Sequence, residues 1–137
     1  MPKSVNYKKP RLINPVSVTL ALLLAFAGLL TYKFLPVFLK KQEAYRVLDE
    51  HASLFGGSRN RYLAVPEEVD NLERQMRTEL QRVGVDDPDM ETWIEIDSEH
   101  EVRFGVAYIE VIHWPFDIVE PKTENVQIEY QLMLTKR

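Results

Sequence analysis

The chain of 137 residues contains no cysteine. That absence excludes a disulfide scaffold, thiolate zinc sites, iron–sulfur clusters, a thiol nucleophile and a lipid-bearing cysteine, so packing alone must hold the fold. Glycine is scarce as well, at 5 residues. No Gly-rich phosphate loop can be drawn through them, and Gly57-Ser58 lacks the flanks of a nucleophile elbow. Basic residues are missing from one region: between Asp86 and Glu129 about 13 acids stand against Arg103 and Lys122 alone, an excess that repels nucleic acid. Over the whole chain the imbalance is mild, with 17 Lys+Arg, 21 Asp+Glu and a formal charge of -4. The length allows one small domain.

What the sequence does have is a run without charge, Val16 to Tyr32. At 1.5 Å per residue these residues span roughly 25 Å, and Leu12, Ile13, Phe34 and Leu35 extend the run to bilayer thickness. A membrane-spanning helix over 16–35 is therefore expected, and a soluble cytosolic enzyme is excluded. The segment 1–15 carries Lys3, Lys8, Lys9 and Arg11 with no acid, which favours a cytoplasmic N-terminus, although Lys33, Lys40, Lys41 and Arg46 on the other side weaken the bias. A secretory signal cut after Ala25-Phe26-Ala27 is the rival reading. The apolar run continues through Leu29 to Tyr32, so an uncleaved anchor is the expectation.

Beyond the anchor, Pro36 predicts a kink at the membrane interface. A membrane-proximal amphipathic helix over 36–56 follows, with Val37, Ala44, Leu48, Ala52 and Phe55 on one face, Lys41 interrupting the stripe by snorkelling to headgroups, and Gly56-Gly57 as the stop. The segment 57–137 reads as a small α+β domain outside the cytoplasm. It opens with a hinge through Ser58-Arg59-Asn60-Arg61. A second helix starts at Pro66 and ends at Gly84, and its stripe of Val69, Leu72, Met76, Leu80 and Val83 is expected to pack on a sheet face made partly by Val126, Ile128 and Tyr130. Three strands complete a three-stranded antiparallel sheet. Thr92, Ile94 and Ile96 mark the first, the stretch Glu101 to Trp114 suits a central strand, and Val126 to Leu134 alternate cleanly in the last.

The basic tail, the anchor, the stretch Lys33-Phe34-Leu35-Pro36-Val37-Phe38-Leu39 running into a helix, then a second helix and three strands, resemble a family of uncharacterised bacterial single-pass membrane proteins with a pilin-like build, some encoded beside leader peptidase. The resemblance implies an inner-membrane protein with its sheet domain outside the cytoplasm and no assigned activity. Type IV pilins need a Gly before the apolar run and a Glu five residues into it, whereas Asn14-Pro15 precedes this run and no acid lies within it.

Residues with chemistry are few. Asp86, Asp87, Asp89 and Glu91 lack the Gly and the terminal Glu of an EF-hand loop and read as a turn before a strand. His51, His100 and His113 have no zinc-ligand spacing and read as surface or interface histidines. No catalytic residue, cofactor or metal is expected. Trp114, Pro115, Phe116, Ile118 and Val119 are an apolar cluster in a loop, either folded back as core cover, the favoured alternative, or left as a docking patch with Trp114, Phe116 and Ile118 as its partner-binding residues. The expectation is a non-catalytic protein-interaction or structural module anchored in the bilayer, meeting a membrane or envelope protein or a second copy of itself; the alternative is a pilin-like or secretion-system minor subunit.

Overall fold

The computed structural model describes residues 13–135; the basic positions Lys3, Lys8, Lys9 and Arg11 lie outside them. The chain divides into two compact units, Met1–Tyr32 and Lys33–Arg137, and helix α1 (Pro15–Gly57) supplies residues to both.

In the first unit α1 starts at Pro15, whose missing N–H suits a first helical position, and the Asn14 side chain accepts the N–H of Val16 at 3.3 Å. Every residue from Val16 to Phe26 is exposed, including Leu20, Leu22, Leu23 and Leu24. Both of its threonine hydroxyls bond back to the helix: Thr19 donates to Pro15 O at 2.8 Å and Thr31 to Ala27 O at 2.9 Å. This stretch is long and apolar enough to cross a membrane once and is a candidate single-pass anchor.

In the second unit α1 continues through Pro36 without interruption and ends in the core of a small α+β fold. Ala44, Val47, Leu48, His51, Ala52 and Phe55 are buried, a stripe of period 3.6 that includes two positions the sequence pattern did not select, Val47 and His51. The expected hinge is a short helix instead, α2 (Arg59–Ala64). Ser58 O accepts from the N–H groups of Arg61 and Tyr62, and the Tyr62 ring stacks on Phe55 at 5.1 Å, so this segment is pinned to the core rather than free. Helix α3 (Pro66–Arg82) follows with Val69, Leu72, Met76 and Leu80 buried. Gly84 closes it at φ 103: Val85 N–H reaches Leu80 O at 3.0 Å and Gly84 N–H reaches Gln81 O at 3.2 Å, the two bonds of a Schellman stop.

Strands β1 (Glu91–Ser98), β2 (Glu101–Ile112) and β3 (Lys122–Met133) form an antiparallel meander with β2 in the centre. The register pairs Ile94 with Phe104 and Phe104 with Tyr130. One face therefore presents Ile94, Val102, Phe104, Val106, Tyr108, Val126, Ile128 and Tyr130 to the helices, and all belong to one core with Leu48, Phe55, Leu72 and Met76. The expected seating of the second helix on Val126, Ile128 and Tyr130 is corrected. Helix α3 lies against β1, where Thr92 Oγ1 donates to Glu73 at 3.1 Å, while α1 takes β3, with Tyr45 against Tyr130 at 5.6 Å. Two helices side by side cannot both sit over the last strand, and α1 reaches it first.

Candidate functional site

Contacts between α1 and the sheet form a graded series. Phe55 meets Phe104 edge-on at 5.9 Å, Lys40 Nζ donates to both carboxylate oxygens of Glu110 at 2.9 and 3.0 Å, and Phe34 meets Trp114 edge-on at 5.7 Å. As numbers fall along α1 they rise along β2, so β2 runs antiparallel to the helix and ends level with Phe34. The loop after β2 thus sits at the N-terminal end of the second unit.

The ionic level of this series explains Lys41. Glu110 and Glu124 face each other across β2 and β3, a like-charge pair that would destabilise the sheet if left alone. Lys40 answers Glu110, and Lys41 answers Glu124 at 3.1 Å. Lys41 is therefore not a headgroup-seeking side chain, as its place in the stripe suggested; a carboxylate of the sheet holds it.

In the loop itself Trp114 and Pro115 are half-buried, and what Trp114 covers is Phe34. The core-cover expectation fails for the rest: Phe116 is 83% exposed, Ile118 77% and Val119 56%. The local backbone is the cause. Pro115 opens a 3-10 turn, Pro115–Asp117, in which Phe116 and Asp117 take φ of 62 and 51. Left-handed backbone costs a non-glycine residue about 1–2 kcal/mol, and here it occurs twice in succession on a turn that leaves the side chain of Phe116 outside.

The opposite, outer sheet face carries charge. Arg103 reaches Asp97 through Nε at 2.5 Å and through a terminal nitrogen at 2.9 Å, Glu95 at 2.9 Å and Glu129 at 3.8 Å. The hydrogen bond from Arg103 holds the Asp97 carboxyl below its ordinary range and raises the guanidinium in turn. Beside it the Trp93 indole covers Gly105 so closely that a Cβ at that position would collide with the ring.

Asp87 shows what the acidic segment does. One carboxylate oxygen accepts Asp89 N–H at 2.9 Å and the other accepts Ile109 N–H at 2.8 Å. Strand β1 pairs no further along β2 than Ala107, and the Asp87 side chain supplies the acceptor that a longer β1 would have given Ile109. The histidines separate. His51 is buried, with Nδ1 donating to Val47 O at 2.8 Å, against the surface role expected of it; His113 is exposed; His100 has a buried Nδ1 without a hydrogen-bond partner among the described residues. An open groove of about 880 Å³ lies between Gly56–Arg61 and Met133–Thr135, but its arginines are engaged, Arg59 with Glu99 O and Arg61 with Glu68. Among the described residues no three His, Asp or Glu side chains gather as a metal site.

Compared with protein-family models, with curated proteins and with solved structures, the chain has no match.

Proposed function

We propose that this chain is a single-pass protein of the bacterial inner membrane, with its N-terminus in the cytoplasm and its α+β domain outside, acting by binding another membrane or envelope protein rather than by catalysis. The observation that carries the reading is the use of α1. The same helix offers an uncharged apolar stretch at one end and six buried core residues at the other, so no linker separates anchor from domain. A module joined this way is confined to the bilayer surface, and its working surfaces are those it can present to neighbours there. The pilin-like family resemblance agrees with a long N-terminal helix laid on an antiparallel sheet, and it supplies the second reading, a minor subunit of a pilin-like or secretion assembly.

The test is a crosslinked pull-down of the intact chain from native membranes. A discrete membrane or envelope partner supports the first reading and a secretion apparatus supports the second. Recovery of the chain alone or with its own copies would leave only a self-assembling structural role.

A further inference from the structure

Exposed apolar residues of the second unit occur at several places, Leu54, Ile96 and Met133 among them, but six come together at one level. Leu35, Phe38 and Leu39 are exposed on α1, and Phe116, Ile118 and Val119 are exposed on the β2–β3 loop. The contact between Phe34 and Trp114 ties the two sets together. Immediately beyond them stands the ionic level of Lys40–Glu110 and Lys41–Glu124. Apolar below and ionic above is the profile of a bilayer boundary.

We propose that the β2–β3 loop is immersed in the interfacial layer of the bilayer that α1 spans, giving the domain a second membrane contact through Phe116 and Ile118, with phospholipid as the occupant of this patch. The proposal rests on the anchor reading of α1. Three observations carry it further. Phe34, the seat of Trp114, comes two residues after the last residue of the uncharged run. From Val16 to Leu39 the only charge is Lys33, and these residues as helix measure about 36 Å, enough to cross a core of about 30 Å with some tilt and bring Leu39 to the interface. Two successive left-handed residues hold Phe116 out of the fold, strain of the kind that collects at ligand-contacting sites. Tryptophan at the rim with wholly apolar side chains beyond it matches how side chains distribute across the headgroup region. Asp117 lies between Phe116 and Ile118 and Glu120 follows Val119, so anionic headgroups repel the loop and zwitterionic ones suit it better.

The missing cysteines make the test direct, because a single introduced thiol reports one position. Full-length Phe116→Cys, Ile118→Cys, Gln127→Cys and Leu23→Cys variants are labelled with a nitroxide and reconstituted in phosphatidylcholine vesicles. Collision with oxygen is then compared with collision with a water-soluble nickel chelate. Labels at 116 and 118 are expected to follow Leu23, with nickel collisions several-fold lower than at Gln127, an exposed position on the outer face of β3. Labels at 116 and 118 matching Gln127 overturn the proposal while leaving the anchor intact. Water exposure at Leu23 as well overturns the anchor reading and the loop with it. Protection from both quenchers that vanishes on dilution with lipid assigns the patch to a second copy. Exposure in vesicles but protection in native membranes assigns it to a protein partner; either result overturns the lipid assignment.

Discussion

Gly105 is where the central strand tolerates nothing larger. Its neighbour Trp93 lies over it on the outer sheet face, and a methyl group there would strike the indole ring. Gly105→Ala is expected to cost about 1–3 kcal/mol, the usual range for overpacking, measured by denaturant unfolding of the detergent-solubilised chain. Trp93→Ala in the same background removes the clash, so the double variant should be less destabilised than the two single losses added together. Asp87 poses the complementary case, a side chain whose removal leaves donors unpaired. Asp87→Ala strands the N–H groups of Asp89 and Ile109 and should cost about 1–3 kcal/mol. Asp87→Asn keeps one acceptor oxygen and should lose less; equal losses for the two would mean that charge, not hydrogen bonding, is what the turn requires.

Among the elements, α3 is the one whose sequence pattern states its own structure: an apolar stripe at helical spacing, a proline at its start and a glycine at its stop are all short-range signals, and its four buried positions belong to that stripe. Leu72→Ala, at a residue only 2% exposed, should cost about 2–4 kcal/mol, and a loss near zero would put this helix on the surface. Helix α1 was harder to read past Pro36. The partners of Lys40 and Lys41 lie 70 and 83 residues away, so a stripe interrupted by lysine carried no hint of the facing glutamates. His51 reads as a surface residue for the opposite reason: its partner is local, and a histidine that donates to its own helix at Val47 can be buried without any distant polar partner. The helix through Arg59–Ala64 was missed because its polar composition reads as a hinge and its stabilising contact, Tyr62 on Phe55, is aromatic stacking that no local rule anticipates. The central place of β2 was legible from a stretch apolar on both faces, whereas which helix covers which strand is a matter of packing. The ion pairs give an element-level test: Lys40→Ala leaves a nearly buried Glu110 unpaired and should cost about 2 kcal/mol, while Lys40→Met with Glu110→Leu should recover most of it.

For the molecule as a whole, pH acts from two sides. Burial, then the nearby Glu110 and Glu124, push the Tyr108 hydroxyl up to about 12 from 10.0. The raised folded value means that the contribution is intact below pH 10 and is lost as pH climbs towards 12, because the unfolded chain ionises first. A falling unfolding midpoint across that interval, flattened in Tyr108→Phe, is the expected outcome. On the acid side Asp97 is held below 3.8 by Arg103, so its contribution is complete above that value and disappears as pH falls through the depressed one; the pair is exposed and salt should weaken the effect. Carbonate washing should leave the intact chain in the membrane fraction, and its release would remove the anchor. The sharing of α1 between the candidate anchor and the core also has a consequence for biogenesis. Synthesis delivers Ala44 to Phe55 long before Val126 and Tyr130, the strand residues that complete their burial. A chain made only as far as β2 therefore has Phe55 covered by Tyr62 and Phe104 but leaves Tyr45 without Tyr130 and β2 with one edge unpaired, the situation in which aggregation competes with folding. Loss of β3 alone would leave that edge of β2 open, which makes the pairing of β3 the step that closes the sheet on that side.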